Sequence, residues 1–146
     1  RLFRSGYKVV VATNQSGIGR GFFSYDALEE MHLKLKNLLL SSNVTLSGIF
    51  FCPHTPEDEC GCRKPASGLL DQITEELNID LTGVHIVGDS LRDLQAGLKY
   101  NCSPILVRTG KGNNTEIQLK KEQNLILKQT RIFDNLACVA DYLCDG

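Results

Sequence analysis

Four residues able to bind a metal fall within one short stretch: Cys52, His54, Cys60 and Cys62, in the run Cys-Pro-His-Thr-Pro-Glu-Asp-Glu-Cys-Gly-Cys. Three thiols and one imidazole are the Cys3His donor set of a closed, tetrahedral zinc site. Cys-x-His and Cys-x-Cys each bring two ligands to one ion if the loop wraps it, and Gly61 offers the backbone freedom for that wrap. The competing reading, three packed thiols and a chance histidine, fits poorly with a stretch broken by prolines and acids. All four positions are filled, so the site reads as structural rather than catalytic. Arg63-Lys64-Pro65 follows at once. A guanidinium binds phosphate through paired hydrogen bonds and an ammonium acts as a point charge, so a loop that fixed both would make an anion site. The plainer alternative is a solvated basic pair.

Two further clusters carry chemistry. Thr13-Asn14-Gln15-Ser16-Gly17 offers a hydroxyl, amides and a loosened backbone to an anion. Taken alone it reads first as turn chemistry. Gly17, Gly19 and Gly21 do not match a dinucleotide fingerprint. In Gly88-Asp89-Ser90-Leu91-Arg92-Asp93, an uncompensated Asp89 carboxylate at the tip of a buried strand would be costly, and a hard cation would offset it. Asp93 divides evenly between a Ser-x-x-Asp capping box and support of that metal. Arg108-Thr109-Gly110-Lys111-Gly112 reads as a solvated loop. His32 is expected on the surface beside the apolar stripe of its helix. His85 is expected to pack within a strand, and Cys102, Cys138 and Cys144 to act as small hydrophobes.

The elements that must position these residues alternate regularly. Strands are expected at Tyr7 to Ala12 (buried on both faces), Ser47 to Cys52, Val84 to Asp89, Ser103 to Val107 and, short, Arg131 to Phe133. Between them lie helices: one capped by Ser24 with a stripe of Leu28, Met31, Leu35, Leu38 and Leu39, one through Leu69, Leu70, Ile73 and Leu77, and one starting at Ser90. A charged helix near Thr115 to Glu122 and a last one capped by Asp134 complete the set. Alternation of this kind indicates an α/β fold with a parallel sheet, whose ligands bind beyond the carboxyl ends of the strands. No repeat or linker divides residues 1–146, so one domain is expected.

Composition bounds the function. The 146 residues carry 16 Lys and Arg against 17 Asp and Glu, a net charge of -1, with 42% hydrophobic residues. Disorder is excluded, and a dedicated nucleic-acid binder is disfavoured because no basic excess exists to neutralise phosphates. No apolar run reaches the roughly 18–20 residues of a membrane span, and the first residues lack the apolar stretch of a signal peptide. A cytoplasmic protein without nucleic-acid or membrane partners is expected. Position 1 is Arg rather than Met, so the sequence is expected to be part of a longer chain.

Taken together and in this order, Thr13-Asn14-Gln15-Ser16-Gly17-Ile18, Cys52-Pro53-His54, Cys60-Gly61-Cys62-Arg63-Lys64-Pro65 and Gly88-Asp89-Ser90 with Asp93 resemble the histidinol-phosphate and heptose-bisphosphate phosphatase branch of the haloacid-dehalogenase-like (HAD) superfamily. The resemblance covers nearly the whole chain. It implies a Rossmann-like α/β fold and a Mg2+-dependent phosphomonoester hydrolase with a structural Zn2+. It implies phosphoryl-holding roles for Thr13 and Lys64, and substrate contacts for Asn14, Gln15, Ser16 and Arg63. Asp89 would bind Mg2+ with Asp93 in support, and Cys52, His54, Cys60 and Cys62 would bind zinc. The implied ligand is a small phosphorylated metabolite and the implied state a monomer. The first choice of substrate is the heptose 1,7-bisphosphate, losing its 7-phosphate, with histidinol phosphate second; the rival from another class is a non-catalytic zinc module that binds a phospho-ligand or a partner protein. The family's nucleophile lies on an Asp-x-Asp motif after a first strand ahead of Thr13, and residues 1–12 contain no Asp. The chain is therefore expected to lack that strand, to leave two inner strands unpaired, and to be inactive alone.

Overall fold

The computed structural model describes residues 1–145, which divide into two compact units, residues 1–77 and residues 78–145. Among the described residues, no helix is long and apolar enough to cross a membrane.

The first unit contains β1 (Val10–Asn14), α1 (Ser16–Gly19), α2 (Tyr25–Leu40), β2 (Gly48–Cys52), a 3-10 turn (Pro56–Asp58) and α3 (Gly68–Leu77). β1 and β2 pair in parallel, in register from Val10 opposite Gly48 to Asn14 opposite Cys52. A parallel pair needs a long crossover, which α2 supplies. The Ser24 hydroxyl caps α2 as expected, accepting the Ala27 N–H at 3.2 Å. The inward face of α2 is rotated from the expected stripe. Leu28 is buried, and Tyr25 and His32 lie against Phe51 of β2, with ring centroids 6.3 and 5.6 Å away. Of the expected stripe Leu28 is buried and Leu39 half-buried, while Met31, Leu35 and Leu38 are exposed, and Tyr25 meets Phe51 though its own side chain stays exposed. Residues 25, 28 and 32 are neighbours on a helix, so an aromatic contact with Phe51 selects that face over the one carrying Met31 and Leu38. His32 is thus packed, and burial lowers its pKa, assisted by Lys36. α3 buries Leu69, Leu70 and Ile73 and packs on β2, whose Phe50 and Cys52 are also buried.

β1 starts three residues later than expected, and all five of its residues are only half-buried. Its second edge has no strand partner among the described residues, which leaves its apolar residues short of the burial expected.

The second unit contains β3 (His85–Gly88), α4 (Leu91–Leu98), β4 (Ser103–Val107), α5 (Gly112–Lys121), α6 (Ile126–Gln129), β5 (Arg131–Phe133) and α7 (Leu136–Cys144). Its sheet runs β3-β4-β5, all parallel. β4 is central and sends alternate residues to opposite faces. Leu106 joins Leu94 and Leu119 on one side, and Ile105 and Val107 join Val139 on the other. Each fully buried side chain of this kind contributes about 1.5–3 kcal/mol. The free edge of β3 has no strand partner among the described residues.

Three details differ from expectation. α7 is capped by Asn135, whose Oδ1 accepts the Cys138 N–H at 3.0 Å, because Asp134 is drawn to Arg108 instead. α5 begins at Gly112 rather than Thr115. The short α6 carries no periodic apolar pattern by which to recognise it. Cys102 is buried, and Cys138 and Cys144 are half-buried free thiols. His85 packs in β3 as expected, with its Nδ1 buried and unpartnered.

Candidate functional site

The chemistry of the first unit gathers where β1 and β2 end. Cys52 is the last residue of β2 and is buried. The chain then leaves through Pro53 and turns back within one 3-10 turn. Asp58 accepts the Thr55 N–H at 2.7 Å and the Thr55 hydroxyl at 3.1 Å, closing a capping box. Glu59 adopts the left-handed conformation, φ 47°. That residue makes the reversal, and Gly61, expected to do so, has no positive φ. The turn delivers Cys60 and Cys62 to Cys52 and His54.

The four donor atoms lie within 4.8 Å of one another. Cys52 Sγ is 3.5 Å from His54 Nδ1 and from Cys60 Sγ, Cys62 Sγ is 3.2 Å from His54 Nδ1 and 3.6 Å from Cys60 Sγ, and the Cys52–Cys62 edge is 2.7 Å. A tetrahedron with Zn–S of about 2.3 Å and Zn–N of about 2.0 Å has edges of roughly 3.5–3.8 Å. The three edges of 3.5 to 3.6 Å match it, the two made by Cys62 to His54 and to Cys52 are shorter, and all the thiols are free. Donor set and spacing both fit zinc.

The thiol titrations follow from this crowding. Burial raises Cys52, and burial with thiol neighbours pushes Cys62 up to about 12. Cys60 is desolvated too, but the Arg63 backbone N–H and the neighbouring thiols outweigh that and bring it down to about 7. Thiolates so close together repel, and a dication would remove that cost.

Directly after the metal loop, Lys64 is held to β1. Its N–H donates to Asn14 Oδ1 at 3.0 Å, its carbonyl accepts from Asn14 Nδ2 at 3.1 Å, and its Nζ donates to the Ala12 carbonyl at 2.6 Å. Thr13 precedes Asn14 and accepts a hydrogen bond from Gln15 Nε2 at 3.1 Å, which orients its hydroxyl. Gln15 N–H in turn donates to the Cys52 carbonyl at 2.7 Å. Ser16 opens α1. Arg63 donates to the His54 carbonyl at 3.3 Å. Thr13, Asn14, Gln15 and Lys64 are therefore one connected group, while Arg63 is tied to the metal loop. A hydroxyl, strand-end backbone and an ammonium fit an oxyanion.

In the second unit, Asp89 follows β3. Its carboxylate accepts the Lys111 N–H at 2.9 Å and its carbonyl accepts the Thr115 hydroxyl at 2.8 Å. Gly110 has φ 61°, and a Cβ there would collide with Asp89 Oδ2. A Cβ on Gly112 would strike the Val107 carbonyl. Read from sequence as solvated, residues 108–112 in fact form the cradle of Asp89. The spacing Gly-Lys-Gly after a strand was the available signal. Arg108 anchors that loop. It donates to Glu116 at 2.7 and 3.3 Å and to Asp134 at 2.6 Å, and Lys120 reaches Glu116 at 2.6 Å.

Asp93 makes the capping box. It accepts the Ser90 N–H at 3.2 Å and the Ser90 hydroxyl at 2.7 Å, and is 8% exposed. A lone carboxylate such as Asp89 suits one position of an octahedral Mg2+, which keeps several waters.

Comparison with known proteins bears on these groups. A family model described as HAD-hydrolase-like matches residues 61–137. The chain is 46% identical over 143 residues to the D-glycero-beta-D-manno-heptose-1,7-bisphosphate 7-phosphatase of Pseudomonas aeruginosa, covering 98% of this chain and 77% of that protein. The enzyme of the same name from Neisseria meningitidis is 43% identical, covering 97% and 74%. The crystal structure of D,D-heptose 1,7-bisphosphate phosphatase from B. bronchiseptica, complexed with magnesium and phosphate, superposes with a TM-score of 0.90 at 42% identity, covering 99% of this chain and 78% of that one.

Proposed function

The chain belongs to the HAD-hydrolase-like family, and on that premise we propose that it is the greater part of a cytoplasmic, Mg2+-dependent phosphatase that removes the 7-phosphate of D-glycero-D-manno-heptose 1,7-bisphosphate. The observation that carries this reading is Lys64 held against the end of β1 beside Thr13, directly after a Cys3His loop. Relatives at 43–46% identity named for that reaction supply the substrate. Residues 1–146 are read as one HAD-like domain, since the family match runs across Leu77.

The residues divide the work as phosphoryl transfer requires, by positioning and charge compensation. The Thr13 hydroxyl, oriented by Gln15, donates to a phosphoryl oxygen. Lys64 compensates the negative charge that develops there. Gln15, Ser16 and Arg63 contact the substrate, Arg63 on the rim of the metal loop. Asp89 holds Mg2+ through a carboxylate that Lys111 and Gly110 keep in place, with Asp93 supporting from the capping box. When bound, Mg2+ supplies charge neutralisation at the phosphoryl group. Cys52, His54, Cys60 and Cys62 hold a structural zinc that fixes the course of the loop carrying Arg63 and Lys64. No Asp precedes Thr13, so the 146 residues alone, without the Asp-x-Asp motif that the resemblance implies, should turn over no ester.

The test is a panel of phosphate esters offered to the product of the complete reading frame. The heptose bisphosphate should be hydrolysed at its 7-position with the highest kcat/KM. Faster turnover of histidinol phosphate would overturn the substrate assignment, and no Mg2+-dependent turnover of any ester would favour a non-catalytic phospho-ligand module.

A further inference from the structure

We propose that Asn14 is a positioning residue that acts through Lys64, and not a substrate contact. The inference rests on the phosphatase reading for its kinetic consequence, and on geometry alone for its structural one.

The side chain of Asn14 meets the backbone of Lys64 as one strand meets another. Its Oδ1 accepts the Lys64 N–H at 3.0 Å and its Nδ2 donates to the Lys64 carbonyl at 3.1 Å. A carboxamide reproduces both polar groups of a peptide, and two roughly equal bonds fix orientation as well as distance. The two residues are fifty positions apart, so this is a tertiary clasp rather than local turn chemistry. A third bond, from Lys64 Nζ to the Ala12 carbonyl, directs the ammonium along β1.

The clasp completes a closed circuit. Residues 52–64 form a loop whose first residue, Cys52, lies opposite Asn14 in the β1–β2 register. Its last residue, Lys64, is held by the side chain of that same Asn14. Both ends of the metal loop thus return to one residue of β1. The metal-ligating group shapes the interior of the loop, and Asn14 fixes its exit. A serine or threonine hydroxyl can donate and accept but does both from a single atom on a shorter side chain, whereas the carboxamide spans the two Lys64 groups with separate atoms, and an aspartate would set an oxygen against the Lys64 carbonyl. Asparagine is the shortest side chain that does both.

Displacement of a charged group by about 1 Å can cost on the order of 10²-fold in rate. Asn14→Ala in the complete enzyme should therefore lower kcat by about 10- to 100-fold with little change in KM. The deciding experiment is a double-mutant cycle with Lys64→Ala, read beside amide hydrogen exchange at Lys64. On the Lys64→Ala background, Asn14→Ala should cost less than about 2-fold, because its route to the substrate has been removed. A substrate contact would cost the same factor on both backgrounds, and that result would overturn the proposal. The exchange measurement needs no activity. Protection of the Lys64 amide should be lost in Asn14→Ala and kept in Asn14→Asp, which retains the acceptor, while the β1–β2 amides stay protected in both. Unchanged Lys64 protection in Asn14→Ala would refute the clasp. A complete protein that hydrolyses no ester but shows this exchange pattern would sink the phosphatase reading and leave the clasp standing.

Discussion

Glu116 is the pivot of the second unit's electrostatics, and replacing it by Gln isolates its charge at nearly constant shape. Its side chain is 9% exposed and takes two hydrogen bonds from Arg108, with Lys120 at 2.6 Å. The Arg108 hydrogen bond, then that of Lys120, draws its pKa from 4.5 down to about 2. A depressed carboxylate contributes stability above its unfolded value and loses it as pH falls through the folded value. At about 1.4 kcal/mol per pH unit the full effect would be roughly 3 kcal/mol. Arg108 and Lys120 are 39% and 60% exposed, and Arg108 keeps Asp134 as a second partner. Solvent screening therefore reduces the net contribution to about 1–2 kcal/mol.

Urea unfolding followed by circular dichroism at a series of pH values measures this directly. Glu116→Gln should be less stable than the native protein by about 1–2 kcal/mol at pH 7. The gap should narrow as pH falls below about 5 and approach zero only below about pH 2, where Glu116 is protonated in the folded state as well. Taking the difference between the two proteins cancels any acid effect they share, such as metal loss. A gap that stays constant across that window would refute the electrostatic account, and a gap of zero at pH 7 would show the network to be idle.

Lys64→Ala in the complete enzyme should lower kcat by about 10²–10³-fold with KM changed little, as loss of a transition-state donor does; steady-state kinetics on the heptose ester checks it. Metal analysis should find about one zinc per chain, and Cys60→Ser should lose it, read by atomic absorption, because the closed set needs all four ligands. Gly110→Ala should raise the Mg2+ concentration needed for half-maximal activity and weaken Mg2+ binding by calorimetry, since a Cβ at φ 61° drives into Asp89. Leu106→Ala should cost about 2–5 kcal/mol in urea unfolding, as a fully buried core leucine.

The legible parts of this molecule were those that a short window of sequence determines. The strands Gly48–Cys52 and Ser103–Val107 are β-branched or apolar runs bounded by turn residues, and the Ser24 cap announces itself beside an amphipathic run. The Cys3His cluster was visible because ligand chemistry is scarce and its spacing compact. What escaped depended on partners distant in sequence. The face α2 turns inward is chosen by Phe51, more than ten residues beyond the helix. Asp134 yielded the cap of α7 to Asn135 because Arg108 claims its carboxylate. Residues 108–112 looked solvated since the Gly-Lys-Gly spacing, the one local signal, does not by itself reveal that Gly110 and Lys111 enclose Asp89. The reversal at Glu59 escaped for a different reason: a left-handed glutamate is uncommon, and the neighbouring glycine was the better local guess.

The proposed anion site has to be reconciled with a chain of net charge -1. Nothing in the overall balance would draw a phosphorylated ligand, so attraction must come from cations fixed at one place, where a short distance outweighs the screened remainder. The metal loop meets that need with two residues. Three thiolates around the proposed dication would leave one residual negative charge at the loop, and the Arg63 N–H hydrogen-bonds to the Cys60 sulfur. The basic pair thus begins at an atom the cluster itself holds. Arg63 is then tied back to His54, while Lys64 is handed to Asn14 on β1. The attachments of Arg63 lie on the loop and those of Lys64 on β1, so the two cations depend on different elements. Moving the loop would therefore shift Arg63 with the metal and leave Lys64 with the strand, so mutations in the cluster should reach substrate recognition before they reach the phosphoryl-transfer step.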